Sequence, residues 1–192
     1  MNFKEKKINL KNFILISQGK NNFWDNMNNR IQDHKIGDWL IYPKHGLGKA
    51  IGFETQIILK EKVKLLVVLF EHDRMTLRIP VNKLGELGLR AISNKDQMKE
   101  AMLALKGKAR IRKTMWAKRE KDYKDKLEKG DPLSVAEVLR DLYRGEGDPE
   151  QSYSERQLYE KALDRFVREM VAVHVIDLEE AIKQTEDNLK AN

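Results

Sequence analysis

The hydrophobic period of this chain changes once, from two to about 3.6, and does not change back. Up to Pro80 the apolar residues fall in short runs and alternations separated by turn chemistry, whereas after Ser93 they recur every three or four residues. A parallel α/β sheet needs strands and helices in alternation. Strands first and helices afterwards point instead to an α+β architecture of two domains, a small antiparallel β module followed by an all-α module.

The β half reads as a series of strands and tight turns. Gly37-Asp-Trp-Leu-Ile-Tyr-Pro43 is a strand ended by proline, and Lys44-His-Gly-Leu-Gly48 is a turn in which two glycines can take positive φ. Lys49 to Leu59 alternates weakly, Lys60-Glu-Lys62 is a charged turn, and Val63 to Phe70 is a β-branched apolar run of strand length. After a polar turn at Glu71–Arg74, Met75-Thr-Leu-Arg-Ile-Pro80 alternates, which puts Thr76 and Arg78 on the face opposite the apolar set. Four or five short strands in so few residues imply a strongly bent antiparallel sheet or barrel. This module is expected over 35–82, with residues 83–93 as a linker broken by Gly85 and Gly88.

The helical half is expected over 94–190. Ser93-Asn-Lys-Asp96 resembles the start of a first helix with Met98, Ala101, Met102 and Leu105 on one face, and Gly107 interrupts it. Helical signal is read through the basic stretch 108–129 as far as Gly130, a stop, after which Asp131-Pro132 offers an N-cap before proline at N1. Val135, Val138, Leu139 and Leu142 form the next face. Ser154-Glu-Arg-Gln157 has the capping-box pattern, and a long helix after it carries Tyr159, Ala162, Leu163, Phe166, Val167, Met170 and Val171. A short acidic segment runs from Asp177 to about Leu189. Residues 1–34 are rich in Asn and Lys without a clear period and read as a flexible extension, with Trp24 as its one anchor-like residue and Met27 as an alternative start.

Charge is distributed unevenly. The net +7 hides an acidic last third, where residues 130–192 carry 8 basic and 15 acidic groups, just after a segment 108–129 that carries 10 basic and 4 acidic. Within that segment, residues 108–121 hold seven Lys/Arg against the single acid Glu120, and Trp116 lies among them. A cationic stretch suits a polyanion. A flat apolar ring within it suits more than charge attraction, since minor-groove proteins combine cations on phosphates with an apolar wedge that unstacks a base step. Two readings compete. Trp116, Tyr123 and Leu127 form a core face with the cations as its solvated back, or Trp116 is exposed at a helix end with Lys118, Arg119 and Lys121 on phosphates. On a helix Arg112 would lie one turn before Trp116, with Lys113 beside it. The acids Glu120, Asp122, Asp125 and Glu128 make the later half a mixed surface, so the site is placed at the N-terminal half.

Other function classes find little support. The four histidines, at positions 34, 45, 72 and 174, have no metal-ligand spacing, and the chain has no cysteine, so no cofactor or metal is expected. Gly46-Leu-Gly48 lacks the lysine of a P-loop and the spacing of a dinucleotide fingerprint. No nucleophile–base pair indicates an enzyme. No apolar run reaches the ~20 residues of a membrane span, a mean hydropathy of −0.65 describes a soluble, charge-rich chain, and the missing cysteine fits a cytoplasmic one.

Three stretches, in order, resemble the CarD/CdnL family of bacterial transcription regulators. They are Lys35-Ile-Gly-Asp-Trp-Leu-Ile-Tyr-Pro-Lys-His-Gly-Leu-Gly48, Met75-Thr-Leu-Arg-Ile-Pro-Val81, and Thr114-Met-Trp116 through Gly130-Asp131 to Leu142. The first module is also similar to the polymerase-interacting domain of the transcription-repair coupling factor. The resemblance implies a Tudor-like β module that binds the RNA polymerase β subunit and a helical domain that contacts promoter DNA, in a nucleoid-associated monomer. It implies a tryptophan, here Trp116, wedged into the minor groove near the −10 element, stabilising the open complex, with Lys118, Arg119 and Lys121 matching the basic residues after it. It also implies polymerase contact through Arg78 and the adjoining Thr76. A second contact arginine of the family falls at Thr55-Gln56, so Gln56 stands where an arginine is expected. The alternatives are a general basic nucleic-acid-binding or ribosome-associated protein, and a scaffold whose acidic helices bind a basic partner.

Overall fold

Alternation over 39–80 builds a meander. The computed structural model describes residues 34–110, 114–145 and 147–191. Residues 1–33 of the expected extension, including Trp24 and Met27, lie outside them. The strands are β1 (Trp39–Tyr42), β2 (Gly46–Ile58), β3 (Glu61–Phe70), β4 (Met75–Pro80) and a two-residue β5 (Arg90–Ala91). They form one antiparallel sheet in the order β4-β3-β2-β1-β5. One register shift, between Ala50 and Gly52, bulges β2 and bends the sheet.

One face of the sheet holds the first core: Leu40, Tyr42, Ala50, Leu66, Val68, Phe70 and Ile79. Gly48 is required there by close approach, since a Cβ at that position would lie 2.7 Å from both Phe70 and Val68. Leu84 and Leu89 close this core, at 1% and 4% exposure. The stretch 83–93, expected as a linker, is thus packed under the sheet and supplies its fifth strand. Its glycines mark turns between buried leucines rather than a loose tether.

The second core belongs to five helices: α1 (Lys95–Leu105), α2 (Trp116–Lys129), α3 (Pro132–Leu142), α4 (Tyr153–His174) and α5 (Leu178–Lys190). Three starts carry local caps. Asn94 and Gln97 form a capping box on α1, Asp131 caps α3 ahead of Pro132, and Asp177 caps α5. On α4 the capping box is two residues earlier than Ser154–Gln157. Ser152 accepts from the Glu155 amide, and Glu155 accepts from the Ser152 amide at 3.0 Å. The α4 stripe is correspondingly centred on Leu158, Ala162, Phe166 and Met170, with Tyr159, Leu163 and Val171 only partly buried at its margins.

The largest difference lies in the basic stretch. Helical structure was expected through 108–129, but α2 begins at Trp116. Before it, Arg110 is held from far away. Asp141 of α3, 3% exposed, accepts the backbone N–H of Arg110 at 2.9 Å. That bond removes the Arg110 amide from any helical ladder.

Candidate nucleic-acid interface

The start of α2 is built unlike those of the other helices. Its N-cap is Met115, which offers no side-chain acceptor and is 82% exposed. Its first turn holds no acid. The partial positive charge of a helix N-terminus is therefore left without local compensation, an arrangement that favours an anion.

Trp116, at N1, is half-buried and packs against the helical core, its ring 6.4 Å from that of Tyr123. Tyr123 and Leu127 lie beneath it at 6% and 2% exposure. Burial, with Asp141 nearby, holds the Tyr123 hydroxyl above its usual pKa. The Tyr123–Leu127 face is core, and Trp116 stands at its open end.

The predicted cations divide into two kinds. Lys118 and Lys121 are exposed and, among the described residues, take part in no ion pair. Arg119 is turned inward rather than toward solvent. Its guanidinium lies 5.5 Å from the Trp116 ring centroid and 3.7 Å from Glu155, and its buried Nε has no partner among the described residues. In this geometry the side chain lies beside the indole and bridges it to Glu155. Arg112 and Lys113 lie outside the described residues. Lys108 and Arg110 are exposed on the approach to α2.

Glu155 anchors this brace, sitting 3.7 Å from both Arg119 and Arg144. Its burial acts to raise its pKa, but hydrogen bonds from the Ser152 amide and hydroxyl and the charges of Arg144 and Arg119 outweigh that and hold it below the usual value. The only sequence signal at Glu155 is a capping-box position after Ser152, which says nothing of Arg119 or Arg144. The later half of α2 is a neutralised surface, with Lys124–Glu120 at 2.7 Å, Lys126–Glu137 at 2.8 Å and Lys129–Asp131 at 3.3 Å.

The sheet brings Thr76, Arg78 and Gln56 to one face, opposite the core, through the partners Leu69, Val67 and Val63 on β3. All three are exposed. Arg78 donates to Glu54 with a forked pair of bonds, Nε at 2.8 Å and an Nη at 3.3 Å. Gln56 reaches the same carboxylate at 3.5 Å. The Arg78 hydrogen bond holds Glu54 below the usual carboxylate pKa. Sequence reading had found Arg78 but not its partner, which lies across β3.

Residues 34–93 match the CarD-like/TRCF RID domain, and residues 100–186 match the CarD C-terminal domain. A relative from Bacillus subtilis (strain 168), named "Putative transcription factor YdeB", is 29% identical over 139 residues, which is 72% of this chain and 91% of the relative.

Proposed function

The chain belongs to the CarD family, and from that premise we propose that it is a transcription regulator that binds the RNA polymerase β subunit through its sheet and promoter DNA through the start of α2. Trp116 acts as a wedge in the minor groove near the −10 element and stabilises the open complex. The observation that carries the reading is the start of α2. A partly buried indole at N1, an uncapped positive helix end and, within the first two turns, Lys118 and Lys121, both exposed and in no ion pair among the described residues, occupy the same end of α2.

Each part has a physical task. Lys118 and Lys121 neutralise phosphates, a term that carries affinity without sequence information. The helix end adds a fixed positive potential. The indole, backed by Tyr123 and braced by Arg119, inserts at a base step without having to be ordered on binding. Unstacking a step costs a few kcal/mol, and least where the duplex is already opening. Such a site prefers opened over closed DNA, and a preference of ~1.4 kcal/mol shifts that equilibrium tenfold without catalysis. Thr76, Arg78 and Gln56 form the polymerase-facing patch, on which the exposed Arg78–Glu54 pair can exchange for a partner's charges.

Trp116→Ala tests this. The half-life of the open complex with polymerase is expected to fall by about tenfold, with circular dichroism and helical content retained. A mutant that has lost its helical signal would mark Trp116 as core alone. A folded mutant with an unchanged half-life would end the wedge reading.

A further inference from the structure

Glu169 is a carboxylate in the wrong place for an ordinary helix. It lies on α4 within the buried stripe, 4% exposed, between Val167 and Met170. An apolar residue there would pack as well, and a buried charge carries a desolvation penalty that pairing often fails to recover. The retained carboxylate is fully engaged. It takes a two-pronged hydrogen bond from Arg90 at 2.7 and 2.8 Å, and Oε1 also accepts from the Ser93 amide at 2.9 Å and the Ser93 hydroxyl at 2.7 Å. Arg90 belongs to β5 and donates onward from Nε to the carbonyl of Gly130, the C-cap of α2, at 3.1 Å.

A second arginine repeats the arrangement. Arg165, one helical turn before Glu169, donates to Leu127 O at 2.8 Å and Lys44 O at 3.3 Å. Both carbonyls that close α2, at Leu127 and Gly130, are therefore held by arginines that also reach the β module or α4. Between them the ring of Pro43 sits against Gly130. The seam leaves a cavity of only about 10 Å³, too small for more than one water.

We propose that Glu169 is a positioning residue whose carboxylate fixes the angle between the sheet and α2, so that the polymerase-facing patch and Trp116 move as one rigid body. This rests on the function proposed above. Apolar packing alone lets surfaces slide, whereas a forked Arg–carboxylate contact has one orientation. Leverage makes the angle matter. α2 is 14 residues long, about 20 Å at 1.5 Å per residue, with Trp116 at the end far from the seam. A swing of about 10° displaces the indole by roughly 3.5 Å, about one base step at 3.4 Å.

The chain has no cysteine, so Lys60→Cys on the β2–β3 turn and Asp125→Cys on α2 give a spin-label pair on the full-length protein. A narrow distance distribution is expected without further change, and one at least about twice as broad with Glu169→Gln. In the same variant the open-complex half-life is expected to fall by about fivefold, while the separate affinities for polymerase and for promoter DNA stay within about twofold. A merely structural role would move those affinities too. Arg90→Lys keeps the charge but loses the fork, and it decides the matter if Glu169→Gln loses its circular-dichroism signal. A distribution that stays narrow overturns the proposal, as does broadening without a change in half-life. Trp116→Ala run alongside separates the two readings. If it also leaves the half-life unchanged, the wedge falls and this inference with it. If it shortens the half-life and Glu169→Gln does not, the positioning role alone falls.

Discussion

The two ends of α2 are made to opposite specifications. Its C-terminus is finished in every respect: Gly130 takes the left-handed cap, two arginines hold the last carbonyls, and Lys126 and Lys129 pair with acids. Its N-terminus has no side-chain cap, no first-turn acid and two unpaired lysines. Stability alone would favour finishing both. The helix is anchored at one end and leaves an unsatisfied surface at the other.

The largest expected effect comes from spoiling the finished end. Gly130 has φ 74°, and a Cβ there would lie 3.2 Å from the Pro43 ring. Gly130→Ala should therefore combine left-handed backbone strain with crowding of the seam, at about 2–3 kcal/mol. Gly147 supplies the control, with φ 88° and nothing within 4 Å of the same Cβ. Gly147→Ala should lose only the strain, about 1 kcal/mol. Denaturant melts of the two variants measure the difference, and equal losses would show that Pro43 contributes nothing to the seam.

Next comes the unfinished end. With Lys118 and Lys121 both changed to Ala, the slope of log affinity for promoter DNA against log salt should become shallower by about 2, near 0.9 per lost phosphate contact. Lys124 and Lys126, already paired with Glu120 and Glu137, should change the slope far less when replaced in the same way. A similar change from both pairs would erase the distinction between the two ends.

A smaller and more pointed effect is expected from capping what is uncapped. Met115→Asp supplies an acceptor at the N-cap, where Asp is among the preferred residues. Thermal melts should show a gain of about 1 kcal/mol, while DNA affinity should fall because the carboxylate occupies the helix end proposed to receive phosphate. Gain and loss together are what an end left open for a ligand predicts. A gain in stability with unchanged affinity would show that the missing cap has no bearing on DNA.

How much of this was legible depended on how far apart the deciding groups lie in the chain. The strands of the meander and the Asp131-Pro132 start of α3 are set by residues within a few positions of each other, and alternation and cap chemistry found them. The start of α2 was missed because Lys, Arg and Ala are good helix formers and nothing local breaks the run after Gly107. The group that holds Arg110 out of a helix, Asp141, lies 31 residues away. The α4 box was misplaced because Ser152–Glu155 and Ser154–Gln157 both satisfy the pattern. Leu84 and Leu89 were hidden between breakers, and Glu169 was passed over because a hydrophobic stripe is read from its apolar members. Trp116 was found from local charge, but its brace by Arg119 and Glu155 depends on α4 packing beside α2.

That brace gives the smallest effect and a pH test. Glu155 has a folded pKa below its ordinary value of 4.5. A carboxylate depressed in the folded state contributes stability that is present above the unfolded pKa and is lost as pH falls through the folded one. Glu155→Gln keeps the capping geometry, since Gln serves at N3 as Glu does, and removes only the charge that faces Arg119 and Arg144. At pH 7 the variant should be less stable by about 0.5 kcal/mol. The difference should shrink as pH falls below about 4.5 and vanish once wild-type Glu155 is itself protonated. Chemical melts from pH 7 to pH 3 trace both curves, and a gap that stayed constant with pH would assign the loss to packing. Because Arg119 braces Trp116 from the Glu155 side, the same variant should lengthen the wobble of the indole without unseating it. Time-resolved anisotropy in a Trp24→Phe, Trp39→Phe background should therefore show a larger fast component for Trp116 at pH 7. If the indole is equally rigid without the Glu155 charge, its order comes from Tyr123 and the helical core, and the open end of α2 is braced from below alone.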